Sequence, residues 1–293
     1  MPITPDPSRI RVATVAPGIE PWRSEMVRLF RSFEALDGPL AQAQRVAYVD
    51  RVIDVDSLHL LRRLGVRVFL ASPIDPRCAM GNNMLMLDLD GSYDWLIMLD
   101  SDVVAARDFS HVFTDSAIRV APADHCGISE EEWGRIFGHF NLPIPSERYL
   151  TRASAQPVIP YFNTGIQVVP APLVLPLRAA WHHYLVKLAD AFDGKEFGPN
   201  IERHEAFADQ IAYSLAIASA QLPYRPLEHA MHVLTHGLIS PAHHPEELQP
   251  YLLHYHHRVD ERGEILLTGY RGIDNAISTV NRSLAAVSTS PEG

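Results

Sequence analysis

Apolar and polar positions follow two rhythms over the first hundred residues. Residues 11–16 form a short β-rich run, Arg-Val-Ala-Thr-Val-Ala, stopped by Pro17 and Gly18. Over residues 21–36, Trp22, Met26, Phe30 and Phe33 recur at steps of three and four, which lines one face of a helix. Pro21 suits the first turn of that helix. Residues 45–49 read as a second strand, 57–64 as a second helix closed by Gly65, and 66–70 as a third strand. A helix over 80–89 and a strand over 94–99 follow. Strands alternating with helices predict a largely parallel sheet covered on both faces.

The second half is less regular. Residues 121–160 are rich in acidic residues and proline, with a short helix at 130–137 between long loops. Such an insert in a compact domain often serves as a lid or binding loop. Residues 162–169 read as a strand, 173–192 as a long helix and 204–220 as another, with Ile211, Leu215 and Ala218 as its apolar stripe. The apolar stretch 168–177 fits either core or a self-association surface. Residues 222–272 mix short strands and loops and are rich in histidine, and the tail beyond Ser283 is small and polar and reads as frayed. No linker divides the chain, so residues 1–285 read as one domain of two lobes, 10–104 and 105–285, with 286–293 as a flexible tail.

Composition narrows the partners. The 293 residues are 47% hydrophobic and 20% charged, which is ordinary for a folded globular chain. The net charge of -10 and the lack of a basic run argue against nucleic acid, which needs Lys and Arg to replace phosphate counterions. A nucleotide stays open, because a divalent cation can neutralise a diphosphate locally. The two cysteines, Cys78 and Cys126, imply no disulfide framework and suit a cytoplasmic setting. No signal peptide or apolar span of about 18 residues is present. Peripheral membrane contact and homo-oligomerisation are left open.

The strongest chemical signal is the run Trp95-Leu96-Ile97-Met98-Leu99-Asp100-Ser101-Asp102. A continuous apolar stretch reads as a buried central strand, and it ends in two carboxylates. Residues two apart in extended chain point to one side, so Asp100 and Asp102 can converge. They stand past the carboxyl end of a parallel strand, where open α/β sheets bind ligands. Two carboxylates so close repel each other, and Mg2+ or Mn2+ would relieve that repulsion and also hold a diphosphate. The plainer reading is a turn capped by two aspartates. Three weaker signals follow. Asn163-Thr164-Gly165 opens a strand with a bare backbone that a ligand can approach, or is an ordinary turn. Asp209 and Gln210 lie near the start of a helix, facing either a cleft or water. His254, His256 and His257 cluster near the C-terminus, and an imidazole there could complete a metal shell.

Taken in order, Asp-x-Asp, Phe-Asn-Thr-Gly, Asp-Gln and Leu-His-Tyr resemble the GT-A glycosyltransferases over residues 11–257, most of all the retaining group that includes glycogenin and bacterial galactosyltransferases. The resemblance implies a Rossmann-like mixed, mostly parallel sheet flanked by helices, with 10–104 as the nucleotide-binding lobe and 105–285 as the sugar and acceptor lobe. It implies transfer of a sugar from a UDP- or GDP-sugar donor to a sugar, glycan or small-molecule acceptor, with Mn2+ or Mg2+ and retention at the anomeric carbon. Asp100, Asp102 and His254 would hold the metal. Asn163, Asp209 and Gln210 would line the reacting sugar. Thr14, Ala16, Pro17, Asp100, Ser101, Gly165 and Arg258 would contact the donor nucleotide. The chain departs from that group in two places. His256-His257-Arg258 stands where a Gly, Lys, Pro and Trp pattern usually grips the diphosphate, and Asn82-Asn83 stands where a basic residue is usual.

Rival classes are weaker on the same residues. A haloacid-dehalogenase-type phosphatase also carries Asp-x-Asp after an apolar strand, but on its first strand, whereas three strands precede it here. A sugar nucleotidyltransferase needs a glycine-rich phosphate loop after the first strand, and Ala16-Pro17-Gly18-Ile19-Glu20-Pro21 is not one. His232 and His236, four apart, would suit one face of a zinc-hydrolase helix, but Gly237 and nearby prolines disfavour that helix.

Overall fold

The computed structural model describes residues 6–49, 52–87 and 93–289. The strands are β1 (Ile10–Ala16), β2 (Gln44–Val49), β3 (Val66–Leu70), β4 (Trp95–Leu99), β5 (Val103–Ala105), β6 (Ile118–Pro122), β7 (Tyr149–Leu150), β8 (Pro157–Val158), β9 (Phe162–Pro170), β10 (Tyr224–Pro226), β11 (Val233–Leu234) and β12 (Leu252–His254). The helices are α1 (Trp22–Glu34), α2 (Val55–Arg63), α3 (Glu130–His139), α4 (Ala171–Asp193), α5 (Pro199–Glu202), α6 (Ala208–Ser219) and α7 (Arg271–Thr289).

Among the described residues the main sheet has seven strands in the order β10-β6-β9-β4-β1-β2-β3. The pairs β1–β2, β2–β3, β1–β4 and β10–β6 are parallel, while β9 runs antiparallel to both β4 and β6. The fold is thus the mixed, mostly parallel α/β sheet that the alternating pattern predicts. All nine residues of β9 are buried, as a strand between two neighbours and two helical layers requires. One apolar core lies between the sheet and α3, α4 and α6, around Trp133, Phe162, Trp181 and Tyr213. A second lies under α1 and α2, around Phe30, Phe33, Ile97 and Leu99.

A smaller sheet, β11-β12-β5, stands beside the carboxyl end of β4. α7 covers it through Ile273, Ile277 and Val280. Here the structure departs from the expected polar tail: α7 runs on to Thr289. Ile273, Ile277, Val280 and Leu284 recur at helical spacing, and the small sheet supplies the apolar face that makes the helix worth forming. Residues 290–293 of the expected tail lie outside the described residues.

Two further expectations change. The helix read over 80–89 is a 3-10 segment, Ala79–Met86, and residues 88–89 lie outside the described ones. Asn82 uses its side-chain oxygen to accept from the Ile74 amide at 3.0 Å, and a Cβ on Gly81 would come within 2.5 Å of Leu185 on α4. Tertiary contacts therefore outweigh the helical pattern there. The helix read over 204–220 begins as a 3-10 turn, Glu205–Phe207, before α6. α6 is buried on nearly every side, from Ile211 through Ile217, so it is an internal helix rather than one with a single apolar stripe. The stretch 168–177 is mostly core, with Val168, Val169, Val174 and Leu177 buried and Leu175 exposed. No helix among the described residues is long and apolar enough to cross a membrane.

Local capping sets some boundaries firmly. In α3 the Ser129 amide donates to Glu132 Oε2 at 2.7 Å, and the Glu132 amide donates to Ser129 Oγ at 3.2 Å, a reciprocal capping box. Ser129→Ala removes one half of it and is expected to cost about 1 kcal/mol. Urea unfolding should show a lower midpoint with an unchanged slope.

Candidate active site

β1 and β4 are adjacent and parallel, so the end of β1, from Thr14 to Ala16, and Asp100 open on the same edge of the sheet. The Asp100 amide donates to the Gly165 carbonyl at 2.8 Å, which ties the end of β4 to β9. The chain then turns into β5, and β12 pairs antiparallel with β5 so that His254 stands opposite Val103. That register, with the Tyr255 amide donating to the Asp102 carbonyl at 3.0 Å, brings His254 to Asp102 across 152 positions.

The result is a compact donor set. One ligand-type atom from each of Asp100, Asp102 and His254 lies within 4.8 Å of the others. His254 Nε2 is 3.1 Å from Asp102 Oδ1, and both side chains are buried. Burial opposes charge on each of them, but their mutual attraction wins: Asp102 is held down to about 2 and His254 is raised to about 9. Asp100 has no such partner. Burial and the neighbouring Asp102 charge push it up to about 7, partly offset by His254 and by the Asn83 amide, which donates to Asp100 Oδ1 at 3.2 Å. Two carboxylates and one imidazole around a shared gap match the chemistry of a divalent cation with a taste for oxygen. His254 Nδ1 is 3.1 Å from His232 Nε2, and the fully buried His232 is shifted down by desolvation and by the His254 charge. His232 therefore orients the His254 ring from behind.

Glycine at 165 answers a steric demand. A Cβ there would sit 1.8 Å from Asp100 Oδ2, so only a bare backbone leaves room for the carboxylate. The pairing of β6 with β9 shifts register between Val120 and Ala121, at the level of Asn163, an irregularity of the kind that re-aims side chains at sites. Asn163 Oδ1 accepts from the Gly165 amide at 2.9 Å, and its Nδ2 donates to Asp124 Oδ1 at 3.4 Å. Asp209, in the first turn of α6, is buried. Its Oδ2 accepts from Thr164 Oγ1 at 2.6 Å, while its Oδ1 is buried without a partner. Burial raises it to about 6 despite the Thr164 hydrogen bond. Gln210 beside it is partly exposed.

The remaining sequence candidates scatter. Thr14 is buried in β1 with its hydroxyl lacking a partner, Ala16 is buried and Pro17 partly exposed. Ser101 turns its hydroxyl towards α1, donating to Glu25 Oε2 at 3.0 Å. Arg258 donates from Nη1 to the Thr235 carbonyl at 2.6 Å. Of the three clustered histidines, His254 faces Asp102, His256 lies 3.6 Å from Asp124 Oδ2, and His257 hydrogen-bonds Glu25. Sequence reasoning missed Asp124, which follows an unpredicted strand, and the buried Glu25. His232 and His236 were legible only as a spacing, and they flank β11 rather than sharing a helix face.

The fold recurs among solved glycosyltransferases. The galactosyltransferase LgtC, in complex with donor and acceptor sugar analogues, superposes with a TM-score of 0.56 at 12% identity over 96% of this chain and 98% of that one. The bifunctional glycosyltransferase WbbM superposes at 0.52 and 12% identity, over 85% of this chain and 46% of that one. No curated protein sequence matches the chain. The model of the Rhodobacterales glycosyltransferase domain matches residues 30–221, more than half of the chain and including both Asp-x-Asp and Asp-Gln. The chain therefore belongs to the Rhodobacterales glycosyltransferase family, sugar-transferring enzymes, and is built on the GT-A fold.

Proposed function

We propose that the enzyme moves a sugar from a nucleotide diphosphate sugar to a hydroxyl acceptor, depends on a divalent cation and retains the anomeric configuration. The observation that carries this reading is the convergence of Asp100, Asp102 and His254 at the carboxyl edge of β4. Asp100 and Asp102 would bind Mn2+ or Mg2+ through oxygen, and His254 through Nε2, with His232 fixing its ring. When bound, the cation supplies Lewis-acid stabilisation of the charge that builds on the leaving diphosphate.

The chain's own groups do the rest. The end of β1, from Thr14 to Ala16, with Pro17 after it, would seat the base and ribose, aided by Asp100 and by the Ser101 backbone, since the Ser101 hydroxyl is committed to Glu25. Arg258 would approach the diphosphate with the donors that Thr235 does not take. Asp209 Oδ1, buried and unpartnered, is suited to accept a sugar hydroxyl, with Thr164 holding the carboxylate in place. Asn163, pinned by the Gly165 amide and Asp124, would line the sugar and acceptor side. Gln210 would lie on the ring face opposite the leaving group, where its amide dipole favours developing positive charge. Retention follows the group that the motif order resembles: the acceptor enters on the face the nucleotide leaves, and the departing phosphate takes its proton. LgtC, crystallised with donor and acceptor sugar analogues, supports this reading by its shared fold.

A thermal-shift screen of UDP, GDP and ADP, each with and without Mn2+, tests it. One base should raise the melting temperature only when the metal is present. Equal shifts with and without Mn2+, or none with any nucleotide, would remove the basis for the reading.

A further inference from the structure

We propose that the enzyme holds a second divalent-cation site, separate from the Asp100/Asp102/His254 set, built from Asp124, His236 and His256 and selective for an imidazole-preferring ion of the Zn2+ class. One ligand-type atom from each of these three side chains lies within 4.8 Å of the others. They come from three segments, after β6, after β11 and after β12, so no local spacing produces the cluster. His256 Nε2 stands 3.6 Å from Asp124 Oδ2, too long for a good hydrogen bond and short enough for one ion to bridge. The rings of His236 and His256 have centroids 3.8 Å apart. The Nδ1 atoms of both are buried without a hydrogen-bond partner. Two imidazoles crowded against a partly buried carboxylate share a desolvation cost that a cation bound among them would offset.

The backbone adds an independent sign. His256 and His257 both adopt left-handed conformations, with φ of 45° and 61°. Two successive non-glycine residues there carry strain, of the kind that persists where a side chain must be aimed. The strain aims His256 at Asp124 and leaves His254, two residues earlier, stacked on it at 3.8 Å and directed to Asp102.

The two donor sets differ in chemistry. Asp100, Asp102 and His254 offer two carboxylates and one imidazole, which suits Mn2+ or Mg2+. Asp124, His236 and His256 offer two imidazoles and one carboxylate, which suits Zn2+ with one coordination position open. His232 lies between them, with Nε2 3.1 Å from His254 Nδ1 and 3.5 Å from Asp124 Oδ1. Asn163 donates to the same Asp124 carboxylate, which links this cluster to the sugar side of the cleft.

The test is metal stoichiometry on the full chain, stripped with chelator and dialysed against Zn2+ or Co2+. His236→Ala should lose one bound equivalent relative to the parent, together with the visible absorption of a tetrahedral Co2+ centre. Asp102→Ala should keep that equivalent and that absorption, which separates this site from the one in the proposed sugar transfer. Unchanged Zn2+ stoichiometry in both His236→Ala and His256→Ala overturns the proposal, whatever happens at Asp102. Should the variants fail to fold, anomalous diffraction at the zinc edge from soaked parent crystals decides. A peak about 2.0–2.2 Å from Asp124, His236 and His256 supports the site. A peak at Asp102 alone, or none, overturns it.

Discussion

Asp102→Ala is expected to lower sugar transfer by about a thousandfold or more, with the fold retained. The scale is that of losing a preorganised electrostatic group in a dry site, about 4 kcal/mol of transition-state stabilisation. Asp102 is buried and pairs with His254 at 3.1 Å, so its removal takes away one of the proposed cation ligands and also the charge that holds the imidazole in line. Truncating one member of a buried pair leaves the other uncompensated. Steady-state kinetics with saturating donor, alongside circular dichroism and a Mn2+ thermal shift, check the prediction. Parental turnover in a folded Asp102→Ala enzyme would end the metal-centred reading.

Gly165→Ala should be nearly as damaging, though it removes no ionisable group. The new methyl would meet Asp100 Oδ2 at 1.8 Å and Cγ at 2.2 Å. The Asp100 amide is bonded to the Gly165 carbonyl at 2.8 Å, so the two backbones cannot simply part. The carboxylate must swing away, out of reach of Asp102 and His254. A misplacement of about 1 Å costs on the order of a hundredfold in rate, and overpacking costs about 1–3 kcal/mol in stability. The variant should therefore show weaker Mn2+ binding by calorimetry, a slower rate and a modestly lower melting temperature. Gly165→Ala binding Mn2+ as tightly as the parent would show that Asp100 does not need the position it occupies.

Both predictions begin from features visible in the linear chain. The apolar run over 95–99 followed by two aspartates marks a buried strand and a charged tip without any knowledge of neighbours. So does the three-and-four spacing of Trp22, Met26, Phe30 and Phe33, which the structure forms as α1. These are properties of short windows, where side-chain direction follows from the local backbone period. At Ala79–Met86 packing overrides the local helical pattern and gives a 3-10 segment, whereas α6 forms where the pattern places a helix but is buried on nearly every side rather than along one stripe. α7 was missed because its apolar stripe needs β5, β11 and β12 beneath it.

Which histidine meets which aspartate is a different kind of fact. His254, His256 and His257 are near neighbours in the chain, yet they face Asp102, Asp124 and Glu25 respectively. That division depends on β12 pairing with β5 in one register, on β6 lying beyond β9 in the sheet, and on two left-handed residues after β12. Local spacing thus reveals that a strand ends in acid. Partners as far as 152 and 232 positions apart meet only once strand order and register are set, because a one-residue slip of β12 against β5 would turn His254 to the opposite face of the small sheet.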